Sequence, residues 1–381
     1  MERKRVILLG ATGSIGRNSI DIIRSYPDRF ELVGLSAHGR VDELLALGEQ
    51  FTGAKLALSG RADPPPSSRI TWSGDEAIYR MLNETEADMV INGISGSAGL
   101  MPSVWSLESG KDLALANKET IVMAGGLIKE LARIKERKIL PVDSEHSAIF
   151  QLLRRINTGE LARIVLTASG GAFRETPLEK FPSLSLEDAL SHPTWDMGAK
   201  ITIDSASMAN KGLEVIEAYH LFDLQPKRIK VLIHPQSSIH SMVKTIDGSF
   251  YAQISSPDMR IPIQNALTYP DTLPSPYGEL DFSSTVFSFS EPERDRYPLL
   301  FLAYQALEQG ASYPLAYNAA NEAAVEAFRT RKIRFVDLAP VVEETLQDDW
   351  SQTPASFSQT FELHRRVWDR AWRGCDKRTE K

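Results

Sequence analysis

Val6-Ile-Leu-Leu-Gly10-Ala-Thr-Gly13-Ser-Ile-Gly16 is the stretch that decides the fold. The apolar run at its start is too short for a signal segment and ends in a glycine turn, so it reads as the first buried strand of an α/β sheet. The glycines follow that strand directly and open a stretch of helical spacing over residues 15–25. A chain built this way can turn tightly and bring a pyrophosphate to the positive end of a helix. The G-x-x-G-x-x-G spacing is a variant of the dinucleotide fingerprint. Alone it also reads as a plain tight turn; the strand-glycine-helix setting favours the dinucleotide.

Working outward, residues 30–36 form another apolar run and complete a βαβ unit. Further strands are expected at 55–58, 89–92, 112–115 and 139–142, alternating with helical stretches as a mostly parallel sheet requires. About twenty residues past Gly16, an NAD-binding chain would place a carboxylate against the ribose 2′-hydroxyl. Here the sequence reads Ser36-Ala-His-Gly39-Arg40, with no acid. Arg40 suits a 2′-phosphate, which makes NADP the expected cofactor, although a solvated loop arginine is the plain alternative.

A chain of 381 residues is too long for one ordinary core. The expected organisation is α/β: an N-terminal Rossmann-like NADP-binding domain over residues 1–143, a central α/β catalytic domain over 144–268, a connecting segment over 269–295 rich in proline, serine and aspartate, and a C-terminal helical domain over 296–381. The central strands are expected at 164–167, 201–204, 231–234 and 250–255, and the clearest late helices at 318–330 and 361–372. Pro64-Pro65-Pro66 reads as a surface loop. A hydrophobic content of 42% and a charged content of 24% are ordinary for a globular protein. The net charge of −7, without a basic stretch, argues against nucleic acid and for a small ligand held by a local site. Cys375 is the single cysteine, so no intrachain disulfide can form, which is compatible with a reducing compartment.

Five polar stretches carry candidate chemistry, at expected strand ends, helix starts and one loop. Asp143-Ser144-Glu145 comes directly after the strand at 139–142; in an extended chain residues two apart face the same way, so both carboxylates could chelate one cation. Hard oxygen ligands suit Mg²⁺ or Mn²⁺. In Asp204-Ser205-Ala-Ser207-Met-Ala-Asn210-Lys211-Gly-Leu-Glu214, a helix starting near Ser207 puts Asn210 and Glu214 on one face. A lysine beside an amide and a serine at a helix start suits a phosphate, and Glu214 can supply a third carboxylate to the metal. Thr167-Ala-Ser169-Gly170-Gly171 offers backbone N–H groups and a hydroxyl to an anion, and His192-Pro-Thr-Trp195-Asp-Met197-Gly198 has the make-up of a lid. Asn117-Lys118-Glu119 adds a cation that could neutralise oxyanion charge. Taken singly, each also reads as a solvated strand end, a capped helix or a turn.

In chain order, Gly10 to Gly16, Leu115-Ala-Asn-Lys-Glu119, Pro141-Val-Asp-Ser-Glu-His146, Thr167 to Gly171, His192 to Gly198 and Asp204 to Glu214 resemble the 1-deoxy-D-xylulose 5-phosphate reductoisomerase family. His234-Pro-Gln-Ser-Ser-Ile-His240, Pro257-Asp-Met-Arg260 and Asn318-Ala-Ala-Asn-Glu322 fit the same family. The resemblance implies that Thr12, Gly13, Ser14 and Ile15 touch the cofactor phosphates, with Gly39, Arg40, Asn117, Glu119 and Gly198 also on the NADPH side. It implies Asp143, Glu145 and Glu214 as metal ligands and Ser169, Ser205, Asn210 and Lys211 as a clamp on the substrate phosphate. Ser144, Lys118 and His192 would approach the rest of the substrate, and Trp195 and Met197 would belong to a flap. Lys118, Asp143, Glu145, His192 and Glu214 would carry the catalytic roles.

The implied reaction is NADPH-dependent rearrangement and reduction of 1-deoxy-D-xylulose 5-phosphate to 2-C-methyl-D-erythritol 4-phosphate, for isoprenoid precursors by the non-mevalonate route. The resemblance also implies a cytoplasmic homodimer acting on a small phosphorylated ketose, with neither nucleic acid nor membrane as partner. A metal-assisted NAD(P) reductase without the isomerisation would need no phosphate clamp. A Rossmann-type sensor of NADP redox state would not need three carboxylates.

Overall fold

Residues 6–9 belong to a strand, as their apolar run requires, and the glycines behind them open a helix: β1 (Lys4–Leu9) is followed by α1 (Ser14–Ser25) and β2 (Phe30–Ala37). The computed structural model describes residues 3–60, 69–195, 197–277, 280–283 and 285–379; Pro64-Pro65-Pro66 lies outside these. After β2 come α2 (Val41–Gln50), β3 (Lys55–Leu58), β4 (Ile70–Ser73), α3 (Ala77–Glu84), β5 (Met89–Asn92), α4 (Leu100–Glu108), β6 (Asp112–Leu115), α5 (Lys118–Ile134), β7 (Ile139–Pro141) and α6 (Ser144–Leu153). The seven strands pair in the order β4-β3-β2-β1-β5-β6-β7, every pair parallel. The chain winds outward from β1 to β4 and restarts at β5 on the other side of β1. That reversal is the switch point at which open parallel sheets bind ligands. The strand at 70–73 was not foreseen, because Ile70-Thr-Trp-Ser73 is short and only partly buried.

The following segment contains β8 (Leu161–Ala168), α7 (Leu186–Ala189), α8 (Ala199–Ala206), α9 (Ala209–Phe222), β9 (Ile229–Ile233), β10 (Ile239–Thr245), β11 (Phe250–Ile254) and α10 (Arg260–Thr268). Its four-stranded sheet has the order β11-β10-β8-β9, with β8 and β9 parallel and the other pairs antiparallel. The chain ends in α11 (Pro298–Gln309), α12 (Tyr313–Arg329), α13 (Leu338–Leu346) and α14 (Phe357–Thr379). Residues 201–204, expected as a strand, lie instead in α8. Gly198 is the N-cap, Thr202 Oγ1 donates to its carbonyl at 2.9 Å and Ile203 is buried, so tertiary packing overrides the β-branched composition.

The chain divides into two compact units. The first comprises residues 1–120, 128–147 and 258–277, the second residues 121–127, 148–257 and 278–381. In the second, one apolar core runs from β8 and β9 through α9 to α11, α12, α13 and α14. Among the described residues, no helix is long and apolar enough to cross a membrane.

Candidate functional site

In the first unit the loop after β1 is shaped by what a side chain would strike. Gly10 has φ +76°, and a Cβ there would lie 2.9 Å from the Gly93 carbonyl oxygen beyond β5. At Gly16 it would lie 2.3 Å from the Ala11 carbonyl oxygen, so the loop and the first turn of α1 can close only without a side chain. Gly13 is the N-cap of α1, whose first turn holds no acid to offset the positive helix end. Ser36 anchors the loop to β2: its hydroxyl accepts from Gly10 N at 3.3 Å and its carbonyl from Ala11 N at 2.8 Å. Arg40 donates to the Thr12 carbonyl at 2.6 Å, placing the guanidinium beside the loop, and Arg17 donates to the same oxygen at 3.0 Å. Arg17 is not among the expected site residues; its sequence signal is a cation in the first turn of the loop's own helix. Gly39 is exposed, and Ser14 and Ile15 are half-buried in the same helix start.

Asn117 caps α5. Its amide oxygen accepts from Thr120 N at 3.0 Å, and its nitrogen donates to the carbonyls of Ile94 and Gly96 and to Glu119 Oε2. Lys118 follows and binds Asp143 Oδ2 at 2.5 Å. Asp143 does not sit in an extended chain with Glu145. Its carbonyl accepts from Ser147 N at 2.8 Å and α6 begins at Ser144, so Glu145 lies in the first helical turn, where the Ser144 hydroxyl donates to it at 2.5 Å. The two acids do not share the strand face expected of them, because the chain turns helical at once after β7, at the edge of the sheet, with both acids at a helix N-terminus that favours them.

In the second unit β8 runs into Ser169-Gly170-Gly171. Gly170 and Gly171 have φ of +87° and +68°, and a Cβ on Gly171 would lie 2.4 Å from the Ser205 carbonyl oxygen, which sets this loop against the last turn of α8. The loop carbonyls are taken up by Arg174, which donates to Ser169 O at 2.6 Å, and by the buried Tyr297 hydroxyl, which donates to Gly170 O at 2.9 Å. Neither residue could be found from the sequence, since the glycine motif carries no sign of what holds it. His192 Nδ1 accepts from the backbone of Thr194 at 3.1 Å and of Trp195 at 2.9 Å, so Nε2 carries the proton and donates to Ser169 Oγ at 3.1 Å. Burial, and then the nearby Arg174 cation, lower the His192 pKa to about 4, leaving the ring neutral at pH 7. The Trp195 ring lies 6.4 Å from that of His240; Met197 is half-buried, and Gly198 is exposed at the start of α8.

Past α8 the chain turns at Met208, in the left-handed region at φ 60°, into α9. Asn210 Nδ2 donates to Glu214 Oε1 at 2.5 Å and Lys211 binds Glu214 Oε2 at 2.5 Å. The helical spacing expected from the sequence is therefore realised, with the helix starting at Ala209. Ser205 is half-buried in the last turn of α8.

Three family models match the chain. One described as 1-deoxy-D-xylulose 5-phosphate reductoisomerase covers residues 6–125, one for the C-terminal domain of that enzyme covers 139–222, and one described as DXP reductoisomerase C-terminal domain covers 254–370. A protein of Treponema denticola named 1-deoxy-D-xylulose 5-phosphate reductoisomerase is 49% identical over 368 residues, 96% of each chain. Its namesake in Chlorobaculum tepidum is 45% identical over 364 residues, 93% of this chain and 95% of the other. Among solved structures, the Zymomonas mobilis reductoisomerase in complex with NADPH matches with a TM-score of 0.89 at 38% identity, over 98% of this chain and 100% of that one. A DOX-P reductoisomerase in complex with NADPH, fosmidomycin and magnesium matches with a TM-score of 0.89 at 37% identity, over 98% of both chains.

Proposed function

Since the chain belongs to the 1-deoxy-D-xylulose 5-phosphate reductoisomerase family, we propose that it converts 1-deoxy-D-xylulose 5-phosphate to 2-C-methyl-D-erythritol 4-phosphate, using NADPH and a divalent cation, for isoprenoid precursor synthesis by the non-mevalonate route. The observation that carries this reading is the first turn of α9, where Asn210 and Lys211 flank a fully buried carboxylate, Glu214. A plain dinucleotide reductase has no need of that arrangement.

The residues fit both implied groups. The loop at Gly10 to Gly16 is closed to side chains and open at a helix N-terminus, as a dinucleotide phosphate requires. We assign Thr12, Gly13, Ser14 and Ile15 to the cofactor phosphates, Gly39 and Arg40 to the 2′-phosphate end, and Asn117, Glu119 and Gly198 to the remaining cofactor contacts. NADPH supplies the hydride. We assign Asp143, Glu145 and Glu214 as the metal ligands; three carboxylates would be an all-oxygen donor set of the kind that suits Mg²⁺ or Mn²⁺. Such a cation supplies Lewis acidity and a template for the neighbouring oxygens of the ketose.

The protein groups around the substrate then have separate tasks. Ser169, Ser205, Asn210 and Lys211 hold the phosphate, converting remote binding energy into orientation of the reacting end. His192 keeps its proton on Nε2, toward Ser169 Oγ, and so fixes one hydroxyl of the clamp. Lys118, beside Asp143, offers a cation to substrate oxygen charge, and Ser144 approaches the same end. Trp195 and Met197 shield the site from water. We further propose a cytoplasmic homodimer.

Purified protein should oxidise NADPH only when both the phosphorylated ketose and Mg²⁺ or Mn²⁺ are present. Full activity after exhaustive chelation would remove the three carboxylates from the reading; turnover of NADH as efficient as that of NADPH would remove Arg40.

A further inference from the structure

Asn318-Ala-Ala-Asn-Glu322 lies in the middle of α12, and the reaction gives it no task. Asn318, Ala319, Ala320, Asn321 and Ala323 are fully buried. An asparagine sealed among alanines is costly unless its amide is bonded. Asn321 Nδ2 donates to Asp204 Oδ1 at 2.8 Å, while Lys200 Nζ, one turn earlier in α8, binds Asp204 Oδ2 at 2.7 Å. Each oxygen of this almost fully buried carboxylate thus has its own donor. Because a carboxylate only accepts, the orientation of the Asn321 amide follows from chemistry. Its other end, Oδ1, has no hydrogen-bond partner among the described residues. An amide kept in the core with one end unsatisfied is kept for the bond made by the other.

That bond reaches the residue next to Ser205. α8 has only eight residues and is too short to hold its own orientation. Its last turn is located by Gly171, whose missing Cβ lets the β8 loop close on the Ser205 carbonyl, and by Asn321, which grips Asp204. A small rotation of so short a helix would displace the Ser205 hydroxyl by about 1 Å, enough to spoil a bound geometry.

We propose that Asn321 is a positioning residue for the phosphate end of the substrate: through Asp204 it sets the rotation of α8 and hence the place of Ser205 Oγ. This rests on reading Ser205, Asn210 and Lys211 as the phosphate clamp.

Asn321→Leu removes the donor at similar volume. The KM for 1-deoxy-D-xylulose 5-phosphate should rise about tenfold and inorganic phosphate should become a weaker competitor by the same factor, while kcat and the KM for NADPH stay within about twofold. Asn321→Asp sets a second carboxylate against Asp204, with Lys200 of α8 and the Tyr317 hydroxyl of α12 as the neighbouring titratable groups. In that variant the ketose KM should climb with pH as both carboxylates ionise and recover at acid pH where they share a proton, a profile that wild type and Asn321→Leu lack. Should Asn321→Leu fail to fold, Lys200→Gln, at the more accessible donor, should raise the same KM to a smaller degree. Parallel loss of kcat, both KM values and thermal stability in the folded variants would overturn the proposal, as would unchanged phosphate competition. Wild-type protein that turns over the ketose without competition from inorganic phosphate would instead remove the clamp reading, and the role of Asn321 with it.

Discussion

Lys118 in the first unit and Lys211 in the second each hold a carboxylate at 2.5 Å, but in different surroundings. Lys211 and Glu214 lie three residues apart on one helix, their side chains 4% and 1% exposed, with Asn210 as a second donor to the acid. Lys118 and Asp143 come from the start of α5 and the end of β7, and the aspartate side chain remains 15% exposed. A sealed pair cannot lose one charge without stranding the other, whereas a pair with access to water can be relieved by solvent. In the second unit, then, the groups proposed to bind the substrate are also part of what keeps α9 folded. In the first, the lysine proposed to act on the substrate holds a carboxylate that keeps some contact with water.

The most severe test of that difference is Lys211→Met in metal-free protein, which takes the lysine cation away from the buried Glu214. The expected loss is about 3–5 kcal/mol of unfolding free energy, together with loss of substrate affinity. Urea denaturation monitored by circular dichroism measures it, and a loss no larger than that of an exposed pair would show that the α9 pair is not the sealed unit its burial indicates. Lys118→Met should cost less, about 1–3 kcal/mol, because Asp143 retains access to water, yet it should lower turnover by tenfold or more, in the range of about 10²-fold for a lost charge-stabilising group. If Lys118→Met proved the more destabilising of the two, the contrast between the units would be reversed.

The smallest effect concerns His192, which has serine and backbone partners where the lysines have carboxylates. Its folded pKa of about 4 lies below the ordinary value of 6.5. Between those two values the unfolded chain binds the extra proton, so this group's contribution to stability is complete above pH 6.5 and declines as the pH falls toward 4. His192→Gln should flatten that part of the stability profile relative to wild type. An unchanged slope in matched denaturation curves at pH 4.5 and 7 would mean that the ring does not carry the effect.

How much of this was legible in the sequence depended on the distance over which each feature is built. The strands at 55–58, 89–92 and 112–115 were readable because central parallel strands are apolar on both faces. The turn from Gly10 to Gly16 and the first turn of α9 were readable because their chemistry lies within a few consecutive residues. Ile201-Thr-Ile-Asp204 misled because its β-branched run fits a strand and only the surrounding core makes it a helix. Asp143 and Glu145 were identified as a pair, but the helix that begins between them was not. The grip of Asn321 on Asp204, and of Arg174 and Tyr297 on the Ser169 loop, joins residues far apart in the chain, and no local pattern announces them. The same holds for residues 258–277, which pack with the first unit although the chain has by then traversed much of the second.

The corner at Met208 has a consequence of its own. Ser205 stands before it and Lys211 after it, so the two arms of the proposed clamp meet at one left-handed backbone position, a conformation that a side-chain-bearing residue adopts at a cost of about 1 kcal/mol or more. The Met208 side chain is 2% exposed and wedged into the core. The spacing of the proposed clamp therefore depends on a corner packed in the interior, like the jaw of a caliper set by a screw that never touches the workpiece.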